Sequence, residues 1–224
     1  MSVTLVSSTS VPRQEPLVLD LAAEANHRIA NNLSLIAGLV RLQASTIIKQ
    51  DRALAPNEVA ALLEEFGERV ETVGRLHRLL ADTPDGPIEI ADYLQKIATG
   101  VVSSLAREGS TALSFNSASQ CRVQARQALP IGLIVGELVT NAIKYAHPTG
   151  VAGMISISCR SNGAEAVIEI ADDGVGLPEG LDPMTSDGLG LRLVRTLAKQ
   201  LEAKLAFHDS VLGLTVTLHL PATA

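Results

Sequence analysis

An α+β fold is predicted: an N-terminal helical hairpin that pairs with a second copy into a dimeric four-helix bundle, followed by a two-layer α/β sandwich. Apolar residues up to Leu80 recur at helical spacing and leave a polar face opposite. The run T-P-D-G-P, Thr83 to Pro87, concentrates turn chemistry where that pattern stops. Beyond it, helical stretches alternate with short apolar runs, one pair joined by the hairpin signal Asn162-Gly163. The expected organisation is a tail over 1–16, the hairpin over 17–82 and the sandwich over 87–224.

Composition narrows the function classes. With 224 residues, 46% of them hydrophobic, the chain has ample core for a small and a medium domain. Aromatics are 2% and tryptophan is absent, so base or sugar stacking has few candidates. A net charge of −6 without a basic run argues against nucleic acid or an anionic membrane as the main partner. Cys121 and Cys159 stand in no metal-like spacing and are expected to be two reduced thiols of a cytoplasmic protein. No apolar run is expected to span a membrane, and the Ser/Thr-rich start is not built as a signal peptide. No sensor domain is expected within the tail.

From Leu17 to about Lys49 the pattern separates two faces. Leu21, Ala25, Ile29, Ile36, Leu39, Val40 and Ile47 share one; Asp20, His27, Asn31, Ser34, Gly38, Arg41 and Ser45 share the other. His27 therefore sits on the polar face. Asn32 and Gln43 fall within the apolar arc, where only pairing with neighbours or across an oligomer interface would suit them. A second helix is expected over about 57–80, with Val59, Leu62, Leu63, Phe66, Val70, Val73 and Leu80 as its stripe and His77 packed within it. Two such helices alone bury too little to be stable, which is why a second copy is expected. The sandwich should contain strands near 88–90, 112–115, 122–124, 154–160, 164–171, 204–208 and 214–220, with helices near 92–107, 126–146 and 189–201.

Three clusters carry chemistry. In E-L-V-T-N-A-I-K-Y-A, Glu137, Asn141 and Lys144 follow i, i+4, i+7 spacing, so an acid, an amide and an ammonium share one helical face able to hold hydrated Mg²⁺ and a polyphosphate. The ordinary alternative is a solvated helix face. In A-D-D-G-V-G-L-P, Gly174 and Gly176 let a flat ligand approach the backbone and Asp172 can accept from an exocyclic amine, although a tight turn reads the same way. In D-G-L-G-L, Gly188, Leu189 and Gly190 open a helix whose free amides suit an anion.

Their order resembles the ATP-binding domain shared by histidine kinases, gyrase, Hsp90 and MutL, in which these clusters are the N, G1 and G2 boxes. The resemblance implies that Asn141 coordinates Mg²⁺, Lys144 approaches phosphate, Asp172 recognises adenine, and Gly188 and Gly190 border the phosphates. It makes 177–187 a short ATP lid. Upstream, H-R-I-A-N-N-L resembles the phosphoacceptor box H-R-x-x-N-N-L of the second HisKA-type family of sensor histidine kinases, relatives of the HWE kinases. The tryptophan that marks strict HWE members has no counterpart here. Ala30 and Ser34 stand where the family often has Lys and Gln, and Glu202-Ala203 replaces a frequent Gly-Gly.

A neutral imidazole already carries a lone pair able to attack a γ-phosphoryl group. Glu24 and Asn31 lie one helical turn either side of His27, and Glu24 is favoured to accept its other ring N–H and stabilise the developing charge. Arg28 either neutralises incoming phosphate or snorkels. The function expected is a dimeric histidine kinase using ATP and Mg²⁺, with a response-regulator receiver as phosphate acceptor and a separate sensor protein as a candidate source of input. The alternatives are an ATP-independent phosphotransferase adaptor between receivers and an anti-sigma-type serine kinase or binding module.

Overall fold

The computed structural model describes residues 16–49, 52–80, 87–117, 121–161 and 165–221; of 16–29, 31, 32 and 49 only the backbone is described. The expected tail and the Asn162-Gly163 turn lie outside the described residues. The chain divides inside its first helix into two units, Met1–Gly38 and Leu39–Ala224.

In the first unit lies the N-terminal part of helix α1, Pro16–Lys49, which carries Glu24, His27, Arg28 and Asn31 on its backbone; their side chains lie outside the described residues. The second unit takes up α1 from Leu39, where Leu39 and Gln43 are buried. Both amide atoms of Gln43 are buried with no hydrogen-bond partner among the described residues. Helix α2, Pro56–Leu80, begins where the Ala55 N–H donates to Glu58 Oε2 at 2.8 Å. This is the N3 acid reaching back to satisfy a donor with no partner in the helix. Its buried residues are Arg69, Val73 and Leu76, whereas Val59 and Leu63, from the expected stripe, are exposed. His77 is half-buried.

The remaining elements form the α+β sandwich. In order they are β1 Pro87–Glu89, α3 Ala91–Leu105, β2 Thr111–Ser117, β3 Arg122–Gln124, α4 Ala125–Asn141, a π turn Ala142–Ala146, β4 Gly153–Ser161, β5 Glu165–Asp172, α5 Leu189–Gln200, β6 Lys204–Ser210 and β7 Gly213–Pro221. A small sheet pairs β1 with β3, and a five-stranded sheet runs β2-β4-β5-β7-β6. Neighbours in it are antiparallel except β2 and β4, which are parallel. Ile155, Ile157 and Cys159 of β4, Ile168 and Ile170 of β5, and Val216 and Leu218 of β7 are buried at alternating positions, the period-two pattern of a face turned to the core, while Val167 and Thr217 are buried on the opposite face. Asp172 continues the buried row of β5 to its end, two residues beyond Ile170, so the core face itself delivers a carboxylate to the sheet rim.

Helix α4 runs through the middle of the helical layer, with Ile131, Ile134, Val135 and Val139 fully buried. By length and composition residues 125–146 could cross a membrane, but they form a helix with 61% of its apolar window inside the fold.

The expectation of reduced thiols is corrected: Cys121 and Cys159 form a disulfide with Cα atoms 6.1 Å apart. The residues stand 38 apart in sequence, and no spacing rule covers that. The small sheet brings Cys121 alongside β4, where Cys159 sits on the core face, and the Ile90 N–H donates to Cys121 O at 2.9 Å.

Candidate nucleotide site

Glu137 and Asn141 lie one turn apart near the end of α4, as the sequence spacing predicts. Gly190, at the start of α5, abuts them: a Cβ there would meet Glu137 Oε2 at 2.8 Å and Asn141 Oδ1 at 3.8 Å. Helix α5 is capped by Gly188 without a side-chain hydrogen bond, and its first ladder bond is the Arg192 N–H donating to Gly188 O at 3.0 Å. The amides of Leu189, Gly190 and Leu191 precede that bond and are the unsatisfied donors of the helix start. The buried Leu189 side chain anchors the turn. A carboxylate, an amide oxygen and free N–H groups thus share one corner, a hard-oxygen donor set with anion-binding amides that fits Mg²⁺ and phosphate.

Lys144 is placed elsewhere. The helix widens into the π turn immediately after Asn141, which rotates Lys144 off the Glu137–Asn141 stripe. Lys144 lines a cleft of about 400 Å³ together with Arg107, Ser110, His147 and Asp172. The i+7 relation expected from sequence does not hold, because the sequence carries no mark of the π turn.

Asp172 is oriented by its own loop. Its Oδ1 accepts from the Gly174 N–H at 3.0 Å and the Leu214 N–H at 3.3 Å, leaving Oδ2 with no hydrogen bond among the described residues. That is the acceptor geometry an exocyclic amine requires. The glycines around it are set by close approach of the protein's own backbone and side chains. A Cβ on Gly174 would lie 2.4 Å from Ala146 O, and one on Gly176, at φ +75°, would lie 2.4 Å from Asp209 Oδ1. Asp209 also accepts from the Leu177 N–H at 2.8 Å, fixing the start of the segment expected as a lid. Further along that segment, Arg195 donates to the carbonyls of Pro183 at 2.6 Å and Ser186 at 2.5 Å. Asp182 Oδ1 accepts from the Met184 N–H at 2.8 Å, which folds the intervening turn.

Several residues of this site escaped the sequence reading. Gly213, Asp209 and Arg195 lie far along the chain from the boxes they support. Asp173 accepts from the Met154 N–H at 2.7 Å and faces His147 Nε2 at 2.8 Å. The Met154 hydrogen bond and then His147 hold the Asp173 carboxyl below its usual range. Arg69 of α2 is the most consequential. Its Nε donates to Glu137 Oε1 at 2.9 Å and its Nη2 to Glu65 Oε1 at 2.9 Å, with 9% of the Arg69 side chain and 13% of the Glu137 side chain exposed. Burial alone would lower the Arg69 pKa; the facing Glu137 and Glu65 carboxylates outweigh it and raise it. A signal was present: Arg69 falls at helical spacing between Leu62, Phe66, Val73 and Leu76, where a core face should have been apolar. Arg192 of α5 makes a second such tie, donating to Thr46 Oγ1 at 2.7 Å and Ser45 Oγ at 3.2 Å on α1.

Residues 24–105 match the HisKA_2 histidine kinase family, and residues 127–224 match the histidine kinase-, DNA gyrase B- and HSP90-like ATPases. The chain is 29% identical over 206 residues to blue-light-activated histidine kinase 2 of Erythrobacter litoralis, covering 89% of this chain and 56% of that protein. It is 30% identical over 220 residues to the sensor histidine kinase PdtaS of Mycolicibacterium smegmatis, covering 95% and 42%. The chain thus spans about half the length of the curated relatives it matches. Among solved structures it resembles the blue-light activated histidine kinase EL346 of Erythrobacter litoralis, with a TM-score of 0.67 and 25% identity, covering 95% of this chain and 62% of that one.

Proposed function

Because the chain belongs to the histidine kinases, we propose that it autophosphorylates His27 from Mg-ATP and passes the phosphoryl group to an aspartate on a response-regulator receiver. The observation that carries the reading is the corner where Glu137, Asn141 and the amides opening α5 converge, with the unpaired Asp172 oxygen on the sheet rim. Asp172 selects an adenine amine, and the α5 amides take phosphate oxygens. Glu137 and Asn141 supply oxygen ligands for Mg²⁺, whose charge offsets that of the polyphosphate. Lys144, exposed across the π turn, reaches phosphate from the Asp172 side. On α1, Glu24 takes the second ring N–H of His27 so that the other nitrogen presents its lone pair, Arg28 neutralises the incoming phosphoryl group, and Asn31 orients the receiver carboxylate.

The exposed apolar side chains Leu33, Val40 and Ile48 of α1 and Leu63 of α2 support a homodimer. The setting is cytoplasmic. The test is incubation with γ-labelled ATP and Mg²⁺. Label on the protein that is acid-labile, alkali-stable and lost in His27→Ala is expected. No label would overturn the kinase reading in favour of the phosphotransferase adaptor, and label surviving His27→Ala would exclude the acceptor. Light scattering at micromolar concentration tests the dimer.

A further inference from the structure

We propose that Arg69 is a further residue controlling the nucleotide site: a cation built into α2 that competes with Mg²⁺ for the Glu137 carboxylate. The inference rests on the reading of Glu137 as part of that site. The guanidinium approaches Glu137 in a fork, Nε to Oε1 at 2.9 Å and Nη2 to Oε2 at 3.3 Å. It occupies both oxygens at the place where Glu137 borders Gly190 and Asn141, and a Cβ on Gly190 would itself lie 3.8 Å from Arg69 Nη2.

Charge decides what this pair does. The Glu137 side chain is mostly buried, and a carboxylate in such a place requires a cation. Two candidates exist, the arginine of α2 and a metal ion on the phosphates. A bidentate guanidinium takes one lone pair of each Glu137 oxygen, and its positive charge repels a metal ion approaching the others, so the two occupants compete. Glu65 belongs to the same device. It holds Nη2 at 2.9 Å from the preceding turn of α2 and is 40% exposed, so Arg69 released from Glu137 keeps one partner near solvent. Arg192 ties the other side of the corner to α1 and lies two residues beyond Gly190. Mg-nucleotide binding and the docked position of α2 are therefore alternatives, and the loss of one stabilises the other.

The test compares binding of the non-hydrolysable analogue AMPPNP by calorimetry in the wild type, Arg69→Met, Arg69→Lys and Asp172→Ala. Met keeps the stem that packs in α2 and removes the charge. With Mg²⁺ present, Arg69→Met should bind about tenfold more tightly than wild type, within the usual range of coupling between sites. The gain should vanish in EDTA, and Arg69→Lys should fall between the two. Unchanged or weaker Mg²⁺-dependent binding in Arg69→Met overturns the proposal, because a purely structural arginine predicts that result. In the wild type, hydrogen exchange of the α2 amides over 65–76 should accelerate on adding Mg-AMPPNP; unchanged or slower exchange also overturns it. The nucleotide reading fails separately, if wild type binds no AMPPNP or Asp172→Ala binds it equally well. If Asp172→Ala abolishes binding while Arg69→Met leaves it unaltered, that reading stands and the role of Arg69 falls alone.

Discussion

Substituting Gly213 by alanine tests how the fold holds Asp172 in place. Gly213 opens β7 at φ +117°, and a Cβ on it would lie 1.9 Å from Asp172 O, 2.7 Å from the Asp172 carbonyl carbon and 3.0 Å from Gly174 N. All three neighbours are backbone, so no side chain can move aside. The strained backbone costs about 1–3 kcal/mol for an L-residue, and overpacking against fixed atoms adds about 1–3 kcal/mol. The expected loss is about 3–5 kcal/mol, which at about 2–4 °C per kcal/mol for a chain of this size lowers Tm by roughly 10 °C. Gly180 is the control: its φ is +77° but nothing lies within 4 Å of a Cβ there, so Gly180→Ala should cost only about 1 kcal/mol. Differential scanning calorimetry decides. Gly213→Ala melting within about 3 °C of wild type, or no lower than Gly180→Ala, would refute the argument.

Other perturbations address separate parts of the fold. Reducing Cys121–Cys159, which closes a separation of 38 residues, should lower stability by about 4 kcal/mol in the loop-entropy relation. A fall in Tm on adding dithiothreitol, absent in Cys121→Ser/Cys159→Ser, checks it. Arg195→Ala removes two charge-assisted hydrogen bonds to the carbonyls of Pro183 and Ser186, so amide exchange across 177–187 should accelerate about tenfold while α3 is unaffected. The Asp173 pKa lies below its ordinary 3.8. Its contribution to stability is thus complete above that value and is lost as pH falls through the folded-state pKa. Asp173→Asn should flatten the acid limb of stability below about pH 4, measured by urea unfolding across pH, and an unchanged limb would exclude Asp173 as its source.

Elements whose signal is local were legible in the sequence. Helices α1, α2, α3 and α5 follow from periodicity, and β4, β5, β6 and β7 from short apolar runs bounded by turns. The pairing of β2 was not legible. It joins β4 in parallel across β3 and α4, and no turn residue records a crossover partner. At the site, Glu137, Asn141 and Gly190 meet as their boxes suggest, because spacing along one helix and a glycine opening another are both local facts. The glycines of the Asp172 loop were legible as close approaches, but not what approaches them: Ala146 and Asp209 are distant in sequence. Arg69 had a local mark, a charge in an apolar stripe, whose partner only the tertiary fold reveals. The disulfide ran against expectation because compartment and spacing say nothing about two strands meeting.

The π turn at Ala142–Ala146 makes helical register a variable in this site. An α-helix advances about 100° per residue, so a widened turn amounts to one residue inserted into the helix after Asn141. Deleting one residue there would let the ladder close as an ordinary α-helix, but at about 100° per residue the lysine, then six residues from Glu137, would stay roughly 120° away from it. Only a regular α-helix that keeps all seven steps would set the acid and the ammonium on one wall. The widened turn thus absorbs the extra residue without turning the helix beyond it, and Lys144 stays on the wall it shares with Asp172.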